Sequence, residues 1–410
     1  MKTLIIAPIS PYPLVFGGAI RLYHLTKMFA QISDVTLLAY KSWSDGNESA
    51  KHLSSFCKEV IFLDLHPLNS GKKSKKYLQA RSLFSTKTFQ YYSHYTKEFQ
   101  AAIDGLLKRE QFDCVVVEFS QMGYFNLNTG SALRILDLQN IEHELLARRS
   151  QVETKFFRKF ILDLEARKFK REELEICKKF DLVCVPSERE EKKLQGLLAP
   201  IKVKSLPNSI DPEYFKLRSN LPGKNEITFV GATHVDANRD GLIYFMEEIF
   251  PLVEQRVPDI HFTIVGGKPP QEILAYGNRP NVEVTGYVKD VRPYMEAAKA
   301  LVVPLRAGGG TRLKILEGLS FGVPTVSTSI GTEGINVSDG EHILLGDTPQ
   351  EFADKLVNLL ADRDLQLRLR NNGRKVVEHE YSWQAVGRTL YTLLQESGQK
   401  LDYPALTAES

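Results

Sequence analysis

The stretch LVVPLRAGGGTRLKILEGLSFGVPTVSTSIGTEGI, from Leu301 to Ile335, decides how this chain folds. It reads as strand, glycine loop, helix, short break, strand and second glycine loop. Leu301 to Leu305 is a short apolar run closed by Arg306, the size of a buried parallel strand. Gly308, Gly309 and Gly310 follow, and Thr311 stands where a helix cap belongs. Leu313, Ile315, Leu316 and Leu319 then fall at helical spacing, and Gly322 with Pro324 ends that helix. Val323 to Ser327 resumes as a strand, and the loop Gly331 to Gly334 carries Glu333.

Consecutive glycines let backbone N–H groups approach an anion without side-chain obstruction. A helix N-terminus adds partial positive charge at the same place. Arg312 and Lys314 put two cations in that first turn, against the helix dipole, which makes sense if their partner is a polyanion. Glu317 lies one turn beyond Leu313 and reaches the same mouth. The pattern suits a diphosphate held by backbone and cations, with a carboxylate gripping a sugar hydroxyl. The plain alternative is a βα turn with solvated charges; the second loop favours the ligand reading.

This block resembles the donor-site region of family-4 (group 1) glycosyltransferases of the GT-B fold, in their bacterial exopolysaccharide-type branch. The resemblance implies an α/β chain of two facing Rossmann-like domains with an interdomain cleft and a C-terminal helix that crosses back. It implies an N-terminal acceptor domain over 1–205, joined by the crossing helix 381–400, and a nucleotide-sugar donor domain over 206–380. In the family the donor helix shows a Glu, seven residues, then a second Glu. Glu317 matches the second, which resembles the residue that holds the nucleotide ribose. Gly309 stands where the first would be. The match extends donor contacts to Gly17 and Gly18, which follow the first strand, and to Gly231, Tyr287, Val288, Thr311, Glu333 and Gly334. The family's turn after the first donor-domain strand holds an Arg and a Lys for the diphosphate. Here Asn238, Arg239 and Asp240 occupy it, which leaves Arg312 and Lys314 as the supply of charge. SLPNSIDPEYF resembles the linker into the second domain, and YSWQAVGRTLYTLL from Tyr381 resembles the crossing helix.

A chain of 410 residues suits two domains. A hydrophobic share of 43% and a charged share of 25% are those of a soluble globular protein, and a net charge of +3 implies no bulk affinity for nucleic acid. Cys57, Cys114, Cys177 and Cys184 show neither metal nor disulfide spacing, which points to a reducing cytosol. No apolar run approaches transmembrane length, and Met1 to Ile9 reads as a first strand rather than a signal peptide.

In the first half, residues 3–7 form a buried strand, and the glycine pair precedes a helix bearing Arg21 and His24, both read as surface or packing residues. Residues 71–99 interleave Lys72, Lys73, Lys75, Lys76, Arg81 and Lys87 with Tyr77, Phe84, Phe89, Tyr91 and Tyr92. That mixture suits an anionic membrane surface, a mobile acceptor loop, or a solvated excursion. Cys114 to Glu118 and Leu133 to Leu138 are further strands, and strand ends are where α/β clefts hold ligands. Asp137, Gln139, Asn140 and Glu142 therefore form a candidate acceptor site. Many members of the resembling family carry a His just after this strand; here Gln139 stands at that place, and His143, four residues later, is a catalytic candidate by proximity. Over residues 150–180 a long helix or helix pair is expected, with Phe156, Phe157, Phe160, Ile161 and Leu164 as its apolar face.

The expectation is a retaining glycosyltransferase that moves a sugar from a nucleoside diphosphate sugar to a glycan or lipid-linked acceptor in surface polysaccharide synthesis. Arg312, Lys314 and His143 are its catalytic candidates, with no metal and no cofactor beyond the donor. The expected place is the cytoplasm or the inner face of its membrane. A nucleotide-sugar 2-epimerase and a non-catalytic partner of another transferase remain open. A nicotinamide oxidoreductase is disfavoured, because GxGxxG is absent.

Overall fold

The computed structural model describes residues 1–14, 17–41, 46–64, 72–153, 155–308 and 310–399. The chain divides into two compact units, Met1–Leu206 with Gly387–Ser410, and Pro207–Val386.

The first unit is built on β1 (Lys2–Ala7), α1 (Gly17–Ile32), β2 (Asp34–Tyr40), α2 (Gly46–Leu53), β3 (Glu59–Leu63), α3 (Lys72–Leu83), α4 (Phe89–His94) and α5 (Lys97–Arg109). It continues through β4 (Cys114–Glu118), β5 (Leu133–Asp137), α6 (Glu142–Val152), α7 (Phe156–Cys177), β6 (Leu182–Val185), α8 (Glu188–Leu198) and β7 (Lys202–Ser205). The sheet is parallel throughout, in the order β3-β2-β1-β4-β5-β6-β7. Leu4–Ala7 of β1 and Cys114–Val117 of β4 are apolar runs with almost no exposed surface, as strands covered on both faces must be.

The second unit repeats the plan with β8 (Glu226–Val230), α9 (Asp236–Tyr244), α10 (Phe250–Glu254), β9 (His261–Val265), α11 (Gln271–Tyr276), β10 (Val282–Gly286) and α12 (Arg292–Ala297). Then come β11 (Ala300–Val303), α13 (Leu313–Phe321), β12 (Thr325–Ser327), β13 (Leu344–Leu345), α14 (Pro349–Ala361) and α15 (Arg363–Val376). The order β10-β9-β8-β11-β12-β13 is the doubly wound arrangement that binds ligands where the winding reverses, at the carboxyl ends of the central strands. Its core gathers Phe245, Phe250, Phe262 and Phe352, with Phe245 and Phe262 ring centroids 4.9 Å apart. The last helix, α16 (Trp383–Glu396), begins in the second unit and from Gly387 belongs to the first.

Three expectations change. Thr311 does not cap α13: Arg312 occupies the cap position with no side-chain cap bond, and the buried Thr311 Oγ1 has no hydrogen-bond partner. Residues 71–99, read as a basic and aromatic surface segment or mobile loop, carry the helices α3 and α4. There the aromatics largely serve packing, since Tyr91 stacks on Tyr95 and Arg81 lies 4.3 Å from the Tyr92 ring centroid. Conversely, Phe156, Phe157 and Phe160 do not face a core; they are 86%, 69% and 57% exposed.

Candidate functional site

In the second unit the winding reverses between β8 and β11, which pair directly at Thr228 and Leu301. The loops that leave the carboxyl ends of β8, β11 and β12 carry the candidate donor residues. They are stitched together: Thr328 Oγ1 donates to the Leu305 carbonyl, and Gly331 N–H donates to Thr328 Oγ1 at 3.0 Å. Arg306 forks onto Asp240, with Nη2 and Nε at 2.7 and 3.1 Å from its two oxygens, which ties the β11 loop to α9.

Lys314 is the second residue of α13, and its side chain runs back towards the turn after β8. Its Nζ donates to Asn238 Oδ1 at 2.9 Å and lies 4.0 Å from the Phe229 ring centroid. Asn238 is itself oriented by donating to the Ala232 carbonyl at 2.9 Å. A Cβ at position 231 would sit 2.5 Å from Lys314 Nζ, so only glycine gives the ammonium this path. Burial pushes Lys314 down to about 7, with Arg312 adding to the fall and Glu317 opposing it. Burial likewise pushes Glu317 up to about 7, with Lys314 opposing. Both side chains are half-buried, one turn apart on the face that meets the glycine loop. The site thus holds a lysine and a glutamate that burial pushes towards their neutral forms, in a place that rewards an incoming anion.

Arg312 is 8% exposed, and its Nη1 donates to the Gly310 carbonyl. That curl needs left-handed backbone at Gly310, φ +73°. Gly308, at φ +131°, sits where a Cβ would come within 3.0 Å of the Arg312 guanidinium. Gly309 lies outside the described residues. Glu333 and Gly334 occupy the half-buried loop after β12. Tyr287, 82% exposed, stands on the turn after β10, while Val288 packs against the apolar cluster around Met295.

In the first unit, Gly17 and Gly18 open α1, the helix that follows β1. Asp137 ends β5, but it is no open acceptor contact. It is 2% exposed and forks with Arg21, Nε to Oδ2 at 2.7 Å and Nη2 to Oδ1 at 2.5 Å. Arg21 is itself buried and also donates to the Leu206 carbonyl at 2.7 Å, so it locks α1 to β5 and β7. Gln139 is drawn into the same buried knot, with Nε2 3.3 Å from Asp137 and 3.4 Å from Glu118. Burial, with the Asp137 carboxylate beside it, holds the Glu118 carboxyl well above the usual range. Asp137 and Gln139 therefore build the floor rather than touch an acceptor, because a buried Arg needs both carboxylate oxygens.

Asn140 and Glu142 are half-buried. Burial, with Glu173 second, pushes Glu142 up to about 7. His143 Nδ1 is 2.6 Å from Glu173 Oε2, and Glu173 also accepts the backbone N–H groups of Glu142 and His143 at 3.1 and 3.2 Å. Glu173 of α7 thus caps α6 and fixes the imidazole in one stroke. Sequence reasoning missed Glu173, Phe229 and the holding role of Asn238. Glu173 is separated from His143 by 30 residues, and no local spacing joins them. Among the described residues no group of three or more His, Cys, Asp or Glu is placed to hold a metal ion.

Residues 224–362 match the family model of group 1 glycosyl transferases. An uncharacterized 44.6 kDa protein of the cps region of Klebsiella pneumoniae is 23% identical over 372 residues, covering 87% of this chain and 90% of the relative. Sucrose-phosphate synthase from Thermosynechococcus elongatus superposes with a TM-score of 0.70 at 17% identity, over 97% of this chain and 99% of the other. Anabaena HepE, solved in complex with UDP, superposes with a TM-score of 0.66 at 13% identity, over 97% and 100%. At such identities the structural likeness is one of fold, and that fold is GT-B. The second unit thus carries a region similar to the group 1 glycosyl transferases, and the chain as a whole shares the GT-B fold of known glycosyltransferases.

Proposed function

We propose that this enzyme moves a glycosyl group from a nucleoside diphosphate sugar to a glycan or lipid-linked acceptor, with retention at the anomeric carbon, in bacterial surface polysaccharide synthesis. The observation that carries the donor reading is the placement of Lys314. Its ammonium is held by Asn238 over Phe229, beside the glycine loop and the N-terminus of α13, where a diphosphate would find cation, backbone N–H groups and helix dipole together. The complex of HepE with UDP and the cps-region relative support a nucleotide donor and a polysaccharide role. Retention is what the group 1 resemblance implies.

In the proposed step, the bond between the anomeric carbon and the β-phosphate oxygen breaks, and its electron pair leaves with the diphosphate. The acceptor hydroxyl forms the new bond, and its proton passes to the departing phosphate. Lys314 and Arg312 stabilise the charge that grows on that phosphate. Glu317 accepts from a ribose hydroxyl. Glu142 and Asn140 are assigned to the acceptor, and His143 would meet it through Nε2, its Nδ1 being held by Glu173.

A panel of nucleoside diphosphate sugars screened by thermal shift tests the donor reading, since a ligand bound only by the folded state raises the melting point. One nucleotide class should stabilise the parent chain, and Glu317→Ala should bind it more weakly by calorimetry. Stabilisation by none of the panel would refute the donor site. Conversion of donor to an isomer without acceptor would replace transfer by epimerisation.

A further inference from the structure

α7 begins on aromatic residues that the described chain leaves largely exposed. Lys155, Phe156, Phe157, Arg158, Lys159 and Phe160 are all exposed. Six consecutive exposed residues span more than one helical turn, and the tie of this end to α6 runs through backbone, with Ser150 Oγ donating to the Lys159 carbonyl at 3.2 Å. Further along, side chains of α7 tie the helix into its unit. Glu165 accepts the Phe89 backbone N–H at 2.7 Å, and Lys168 donates to the Ser82 carbonyl at 2.6 Å. Phe84, 93% exposed, follows two residues after that carbonyl, and Tyr77 on α3 is 65% exposed beside exposed Lys75 and Lys76.

Adjacent exposed phenylalanines are costly in water and mark a surface that meets something else. The charge beside them says what. From Lys155 to Leu162 there are three basic residues and no acidic one. Arg158 and Lys159 stand in the first turn of α7, where cations oppose the helix dipole, so helix stability does not explain them. A second copy of this patch would set basic against basic. An anionic bilayer answers both features at once, since phenylalanine enters the headgroup boundary while Lys and Arg meet lipid phosphates.

We infer that the N-terminal end of α7 docks this enzyme on an anionic membrane surface, with Phe156, Phe157 and Phe160 inserted and Lys155, Arg158 and Lys159 on the headgroups. Each basic residue near such a surface raises partitioning about fivefold, so the three together supply about 100-fold. No helix of the described residues is long and apolar enough to cross a membrane.

The test uses the full chain with vesicles of phosphatidylglycerol and phosphatidylcholine, and with phosphatidylcholine alone. The parent should sediment with the anionic vesicles and be released by high salt. Phe156→Ser with Phe157→Ser and Phe160→Ser should lower binding at least about tenfold. Lys155→Gln with Arg158→Gln and Lys159→Gln should lower it about 100-fold. Both sets should keep the parent's melting point and nucleotide affinity, because these side chains are exposed and outside the buried core. As a conservative check, the indole emission introduced by Phe157→Trp should shift to the blue on binding and be quenched by brominated lipid. The inference is overturned if the parent ignores anionic vesicles, if the serine variant binds as the parent does, or if the added indole emission does not change. It is overturned equally if the serine substitutions instead convert an oligomer to a monomer while the parent binds no lipid.

Discussion

Binding of the nucleoside diphosphate sugar should draw a proton onto Lys314, and its affinity should fall as pH rises above 7. In the protein alone, burial and Arg312 hold this lysine down at about 7. At pH 8 only about a tenth of the molecules then carry the charge. A diphosphate beside Nζ favours the ammonium, so the pKa of Lys314 is raised in the complex. The contribution is fully present below the value near 7 in the protein alone and is lost as pH rises through the value in the complex. Between those limits the slope of log affinity against pH approaches about −1. Glu317, pushed up to about 7, complicates the parent: gripping a hydroxyl as a carboxylate would release a proton and cancel part of the uptake. Glu317→Gln removes that release. It also removes the carboxylate that raises Lys314, so its pKa in the protein alone falls further and the uptake at neutral pH grows. The assay is calorimetry in buffers of different ionisation enthalpy from pH 6.5 to 8.5, with a donor sugar whose phosphodiester oxygens do not titrate near neutrality. Close to one proton taken up by Glu317→Gln at pH 8, and none by the double variant with Lys314→Met, is expected. An affinity independent of pH in Glu317→Gln would refute the reasoning.

Gly231→Ala should weaken donor binding at least about tenfold, because the new Cβ would lie 2.5 Å from Lys314 Nζ and displace it; calorimetry checks this. Asp137→Ala should lower stability in urea by about 3 kcal/mol or more, since it strands the buried Arg21 guanidinium; a loss below about 1 kcal/mol would mean the pair is not buried in solution. Activity should survive EDTA, because the cations at the α13 start take the place of a metal; loss restored by magnesium or manganese would contradict that assignment.

Much of the local structure around the proposed donor site was legible in the sequence because it is local. Strand, glycine loop and helix follow one another within Leu301 to Phe321, and Gly322 ends the helix in left-handed backbone at φ +79°, as its placement before Pro324 suggests. What lay beyond reach was set by distant partners. Asp137 at a strand end looks like a ligand until Arg21, 116 residues earlier, takes both of its oxygens. Lys314 looks like a free cation until Asn238 and Phe229 define its seat. Periodicity placed Phe156, Phe157 and Phe160 on an apolar face correctly as spacing, but it cannot say where the protein body stops beneath a helix. The same limit left residues 71–99 open between a membrane surface, a mobile loop and a solvated excursion, and did not show that Tyr91 and Tyr92 pack against one another and Tyr91 against Tyr124.

The measurement that bears most directly on the central assignment is turnover of the donor identified by the panel, in the presence of acceptor, for Arg312→Ala and Lys314→Ala against the parent. Loss of a group that stabilises the leaving diphosphate should cut turnover about 100-fold in each, at unchanged melting point. Turnover within about twofold of the parent in both variants would place the chemistry elsewhere and remove the α13 start from the mechanism.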